Sequence, residues 1–173
     1  MGDLDGKVAI VTGAGRLRGI GRASAVALAM LGANVTITGT GRDPSTYPDD
    51  EKLANWRDIE STAEQVTAAG SKCLTVVTDI TDSKDVQRMV DLTLDEFGRV
   101  DILINNAAFT RGPDRVPVVD MDDSIFQRVL DIKIMENNGF KIISLRVLFV
   151  CSINDSYLII NLGTSNFAHD KKF

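Results

Sequence analysis

Short apolar runs alternate along the chain with longer amphipathic ones. Residues 7–12 (Lys7, Val8, Ala9, Ile10, Val11 and Thr12) show no polar alternation and are rich in β-branched side chains, which predicts a strand buried on both faces of a parallel sheet. Helix formers at helical spacing follow over residues 23–31, and a second strand is predicted over 34–38. A polar loop punctuated by Gly39, Gly41, Pro44 and Pro48 then leads to Asp49 and Asp50. These are expected to cap one helix that buries Leu53, Trp56, Ile59, Ala63 and Val66 and ends at Gly70. The third strand is predicted over 73–77. Asp82 or Ser83 opens the next helix, which carries Val86, Met89, Val90, Leu94 and Phe97 on one face with Gly98 past its end. The fourth strand is predicted over 100–104. Crossovers of this length make the four strands parallel and put helices on both faces, an α/β doubly wound sheet.

The join between the first strand and first helix holds Gly13, Gly15, Gly19 and Gly21. Strand, glycine turn and helix in that order place unpaired backbone N–H groups, and the positive end of a helix dipole, where a pyrophosphate can sit. Glycines have no Cβ to hold phosphates away. A tight turn that binds nothing is the alternative reading of the same residues.

Several stretches together resemble one family. The run Leu4-Asp5-Gly6-Lys7-Val8-Ala9-Ile10-Val11-Thr12-Gly13, then Gly19-Ile20-Gly21, Asp79-Ile80 and Asn105-Asn106-Ala107, is similar to the short-chain dehydrogenase/reductase family, near its 3-oxoacyl carrier-protein reductase-like members. The resemblance covers residues 1–132. It implies a Rossmann-like fold and a nicotinamide dinucleotide cofactor, held at Gly13, Gly15, Gly19, Ile20 and Gly21. It further implies that the Asp79 carboxyl and the Ile80 backbone meet the adenine. Asn105 would steady the sheet while the chain through Ala107 runs past the ribose. Two departures are visible. Five residues, 14–18, separate the first and second motif glycines where the family usually has three, and Ala108 stands where the family has glycine.

Charge bears on which dinucleotide is taken. A carboxylate at the end of the second strand would accept hydrogen bonds from a ribose 2′-hydroxyl and repel a 2′-phosphate. None stands in Thr38-Gly39-Thr40-Gly41-Arg42. Arg42 there, and Arg18 directly before Gly19, offer planar forks suited to phosphate oxygens, and a basic residue at Arg18 resembles the family's NADP(H)-preferring pattern. NADP(H) is therefore expected over NAD(H).

The catalytic half reads differently. The family transfers hydride between nicotinamide and a small carbonyl or alcohol, using a tyrosine whose pKa of about 10 is lowered by a lysine four residues on. Here Tyr47 is followed four residues on by Glu51, and Tyr157 by Asn161. Lys133 stands where the family's catalytic asparagine would follow Ile132. A weaker alternative takes residues 139–144 as a strand ending in a catalytic Ser144, with Tyr157 as its partner. From Lys133 onward the composition shifts: residues 133–173 hold 6 Ile, 5 Asn, 4 Lys and 4 Phe against one Ala, whereas residues 1–132 hold 13 Ala. Those enriched residues share A/T-rich codons. The expectation is a C-terminally truncated dinucleotide-binding part over 1–132 with a divergent tail over 133–173, and catalytic incompetence in this copy. A non-catalytic binding module, or a gene-model or splicing product without function, are the alternatives. Stretches 146–152 and 158–162 are candidate strands to cover the fourth strand's open edge. No oligomeric state carries over, because the family's interface helices belong to the unmatched region.

Composition adds exclusions. With 173 residues the chain is one domain large enough for a sizeable core. A net charge of −5 argues against nucleic acid and anionic membranes as partners. Two cysteines, Cys73 and Cys151, fit a reducing compartment, and neither a signal peptide nor a membrane-span-length run is visible. A cytoplasmic protein is expected. His169 reads as a solvated residue.

Overall fold

In the computed structural model, residues 2–108, 116–132, 148–153 and 156–160 are described. The strands are β1 (Val8–Val11), β2 (Asn34–Gly39), β3 (Cys73–Val77), β4 (Ile102–Asn105), β5 (Leu148–Ile153) and β6 (Ser156–Ile160). The helices are α1 (Ile20–Met30), α2 (Asp49–Leu53), α3 (Ile59–Ala68), α4 (Ser83–Phe97) and α5 (Asp123–Leu130). Strand order is β3-β2-β1-β4-β5-β6. All neighbours are parallel except β6, which runs antiparallel to β5.

The unbroken apolar run of β1 fits its position. All four of its residues are buried, with β2 on one side and β4 on the other. One core cluster joins β1 and β2 to α1 and α3 through Ala25, Ala29, Ile59 and Val66; the other joins Ile10 and Leu103 to α4 through Val86, Met89 and Val90. Helices thus cover both faces of the parallel sheet, as expected.

The sheet continues past Ile132. β5 pairs with β4 from Ile102↔Leu148 to Asn105↔Cys151, so the first of the two candidate stretches covers the edge of β4, and β6, from the second, adds outside β5, each with bounds shifted by a few residues. Tyr157 lies on β6, a strand and not the helix that would present a tyrosine and a lysine on one face. Lys133, Ser144, Asn161 and His169 lie outside the described residues.

Two expectations fail. Residues 49–68 do not form one helix: the chain breaks between Leu53 and Ile59, with Asn55 and Asp58 at φ of 48° and 53°. Leu53, expected in the core, is 85 % exposed. On α4 it is Thr93, not Leu94, that is buried; its hydroxyl donates to the Met89 carbonyl at 2.8 Å and lies 3.0 Å from the Thr36 hydroxyl on β2.

Candidate functional site

The glycine turn sits at the carboxyl end of β1, braced from the end of β4. The Thr12 hydroxyl accepts from the backbone N–H groups of Asn106 and Ala107, both at 3.0 Å. Asn106 Nδ2 donates to the carbonyls of Thr12 at 2.8 Å and Gly13 at 3.0 Å. The side chain that steadies the turn is therefore that of Asn106, next to the Asn105 singled out from sequence. Gly13, at φ of +66°, has its Cβ direction 2.7 Å from Ala107 Cα, and a Cβ at Gly21 would overlap Asn106 Nδ2. Glycine at 13 and 21 is thus required by the close approach of the protein's own atoms, the Ala107 backbone at the first and the Asn106 side chain at the second, whatever these positions also admit.

The other side of the loop is fastened by the segment after β2. Ala14 and Gly15 are buried, and their carbonyls are taken: Thr62 Oγ1 donates to Ala14 at 2.8 Å, while Trp56 Nε1 at 2.7 Å and Arg42 Nη2 at 3.1 Å donate to Gly15. Leu17 N–H donates to Glu51 Oε1 at 3.1 Å. Arg18 Nε lies 2.9 Å from Asp50 Oδ2 at an exposed position. The residues that lengthen this loop are matched by the α2–α3 turn that closes over it.

Arg42 has a different place from the one its sequence position suggested. Its guanidinium donates to Glu51 Oε2 at 2.8 Å and Asp58 Oδ1 at 3.2 Å, and stacks 4.6 Å from the Tyr47 ring centre. Burial alone would lower its pKa, but the Glu51 hydrogen bond and the Asp58 charge raise it above the ordinary arginine value. Two carboxylates hold the fork that the sequence led us to expect at a 2′-phosphate. A cavity of about 350 Å³ lies alongside, lined by Arg42, Tyr47, Trp56, Asp58, Ile59 and Val77 among others.

The helix end facing the loop is bare. α1 begins just after Gly19, which supplies no side-chain cap, and has no acidic residue in its first turn. The four other described α-helices each have an acid there. With no carboxylate in its own first turn to answer the dipole, Ile20-Gly21-Arg22 is an end at which an anion is stabilised.

At the rim, Asp79 Oδ1 accepts from the Thr81 N–H and hydroxyl at 2.9 and 2.7 Å, and Asp82 caps α4 through the Lys84 N–H. Asp79 is exposed and Ile80 is buried. Among the described residues no group of His, Cys, Asp and Glu could hold a metal ion, and no helix is long and apolar enough to cross a membrane.

The family model described as short chain dehydrogenase matches residues 7–137. The chain belongs to the short chain dehydrogenase family. It is 39 % identical over 133 residues to the short chain dehydrogenase/reductase astE of Aspergillus oryzae, covering 76 % of this chain and 44 % of that protein. It is 33 % identical over 108 residues to a 3-oxoacyl-[acyl-carrier-protein] reductase of Synechocystis, covering 62 % of this chain and 38 % of that protein. Carveol dehydrogenase from Mycobacterium avium, solved in complex with NAD, superposes with a TM-score of 0.64 at 28 % identity, over 80 % of this chain and 48 % of that one. The chain spans less than half the length of these relatives.

The sequence motifs located the glycine turn and the ends of β3 and β4. That reading gave no role in the site to Glu51, Trp56, Asp58, Thr62 or Asn106. Signals for some were present: a tryptophan inside a polar stretch, and Asn55 and Asp58 spaced as residues that tolerate positive φ.

Proposed function

We propose that this chain binds a nicotinamide dinucleotide across the carboxyl ends of β1, β2 and β4, as the cofactor half of an oxidoreductase acting on a small carbonyl or alcohol. The observation that carries the reading is the uncapped, acid-free start of α1 behind a glycine loop fixed on both sides. Gly13, Gly15, Gly19, Ile20 and Gly21 would hold the pyrophosphate. Asp79 and Ile80 would meet the adenine, and the chain from Asn105 to Ala107 the ribose. When bound, the cofactor supplies a hydride donor or acceptor.

Of the two dinucleotides we favour NAD(H). Arg42, half of the argument for NADP(H), is committed to Glu51 and Asp58. Arg18 remains, with 82 % of its side chain exposed and Asp50 beside it. The relative solved with NAD points the same way.

We infer that neither tyrosine of this chain serves as the proton donor for the chemistry. Tyr47 is 7 % exposed, and burial together with the nearby Asp58 charge raises its pKa. That is the wrong direction for a phenol acting near neutrality. Tyr157 has no lysine four residues on. Binding without turnover is the resulting proposal.

Isothermal titration with NADH and NADPH, beside an assay for oxidation of either by a carbonyl panel, tests both statements. Saturable binding with no turnover is expected. Absence of binding by a folded chain would refute the dinucleotide reading, and turnover would refute the second statement.

A further inference from the structure

The end of β2 lacks a carboxylate in the sequence, yet the structure delivers two there from elsewhere. Glu51 arrives from α2 and Asp58 from the turn before α3, with 2 % and 4 % of their surfaces exposed. The turn that brings them is costly to form: Asp58 holds φ of +53° and ψ of −128°, outside the region a side chain prefers. Both carboxylates converge on Arg42. Asp58 Oδ2 accepts a third bond, from the Arg42 N–H at 3.3 Å, and Asp58 lies against Gly15 so closely that a Cβ there would overlap its carboxyl.

We propose that Glu51, seconded by Asp58, sets the cofactor preference of this chain: by holding the Arg42 fork against the Gly15 carbonyl it keeps that fork from a 2′-phosphate and leaves the site fit for an unesterified ribose. Glu51 is a positioning residue, acting through Arg42 and through the Leu17 N–H of the loop. With Arg16, whose Nη1 lies 3.9 Å from Glu51, the four side chains sum to zero charge, so no net positive charge awaits a phosphate dianion. Arg42 could turn to such a phosphate only by giving up the 2.8 Å contact to buried Glu51, which would keep just the more distant Arg16 as a cationic partner, and uncoupling a buried ion pair is unfavourable. A ribose hydroxyl demands no such rearrangement. The inference rests on the dinucleotide reading above and names the residues that decide between its two forms.

The test compares dissociation constants for NADH and NADPH in the wild type, Glu51→Gln and Asp58→Asn, with folding checked by circular dichroism. Glutamine keeps an acceptor for Leu17 and Arg42 but removes one negative charge. Asparagine tolerates the φ of residue 58, which makes the second variant a check should the first fold poorly. The wild type is expected to prefer NADH, and each variant to shift the NADH-to-NADPH affinity ratio toward NADPH by about tenfold. A merely structural role would weaken both cofactors equally, and that result overturns the proposal. A wild type that binds NADPH as tightly as NADH overturns it as well, while leaving dinucleotide binding intact. A wild type that binds neither removes the dinucleotide reading and this inference with it. Displacement of NADH from the wild type by AMP against 2′,5′-ADP gives the same comparison with no substitution: AMP is expected to compete better, and better competition by 2′,5′-ADP overturns the proposal.

Discussion

The indole Nε1 of Trp56 donates to the Gly15 carbonyl at 2.7 Å, joining residues 41 positions apart in the sequence. The bond carries the α2–α3 turn onto the glycine loop, so the loop is shaped by a segment outside the motif. Trp56→Phe keeps the ring's bulk but removes this donor, and a buried hydrogen bond lost in this way costs roughly 1–2 kcal/mol. Denaturant unfolding should show that loss, with dinucleotide affinity falling in parallel. Unchanged stability would mean that the bond contributes nothing to the loop. Trp56 is the sole tryptophan, so emission of the wild type reports directly on this contact.

A Cβ added at Gly21 would overlap Asn106 Nδ2 and lie 3.0 Å from the Gly13 carbonyl oxygen. Gly21→Ala must push the start of α1 away from β4, a strain of about 1–3 kcal/mol. It should lower both the unfolding midpoint and dinucleotide affinity. Gly70→Ala is the contrast: φ there is +96° but an added Cβ would meet none of the described atoms within 4 Å, so its cost is backbone strain alone and affinity should not change. Equal loss of affinity in the two variants would remove the local meaning of the Gly21 contact.

At the opposite end of the sheet, Asp101 accepts from the Val8 N–H at 2.9 Å and pairs with Lys7 and Arg99. Burial would raise its pKa, but the Arg99 hydrogen bond, the Val8 N–H and the Lys7 charge together hold it below the ordinary carboxylate value. A depressed folded-state pKa stabilises the protein above the unfolded value of about 3.9, and that stabilisation is lost as pH falls through the folded value. Asp101→Asn should therefore be less stable than wild type at neutral pH by roughly 1–3 kcal/mol. The gap should close in acid. A gap independent of pH would show that the charge is not what stabilises.

Burial pushes the Cys73 thiol up to about 12. The thiolate is the reactive species, so in a Cys151→Ser background native protein should react with a thiol reagent near pH 8 far more slowly than unfolded protein. Equal rates would show that β3 is open to solvent.

Much of this fold was legible because its signals are local. The apolar run of residues 7–12 and the Gly98 stop after α4 each follow from a few neighbouring residues. The break between Leu53 and Ile59 was not legible, since 3,3,4 apolar spacing satisfies a helix, and only the distant Gly15 carbonyl and Arg42 guanidinium give Trp56 and Asp58 a reason to leave it. Thr93 was passed over in favour of Leu94 because its value lies in a partner on β2, Thr36, 57 positions earlier. Arg42 shows the same limit in the site. Its type and position suited a phosphate, but the two carboxylates that occupy it come from 9 and 16 residues further along.

Hydrogen exchange of the loop amides, residues 13–22, with and without NADH addresses dinucleotide binding most directly. Slower exchange is expected across Gly19, Ile20, Gly21 and Arg22, where the N–H groups at the start of α1 would meet the pyrophosphate, with little change in α4. Exchange at those amides unaltered by NADH or NADPH, in a chain whose β1 and β2 amides remain protected, would contradict binding at this loop.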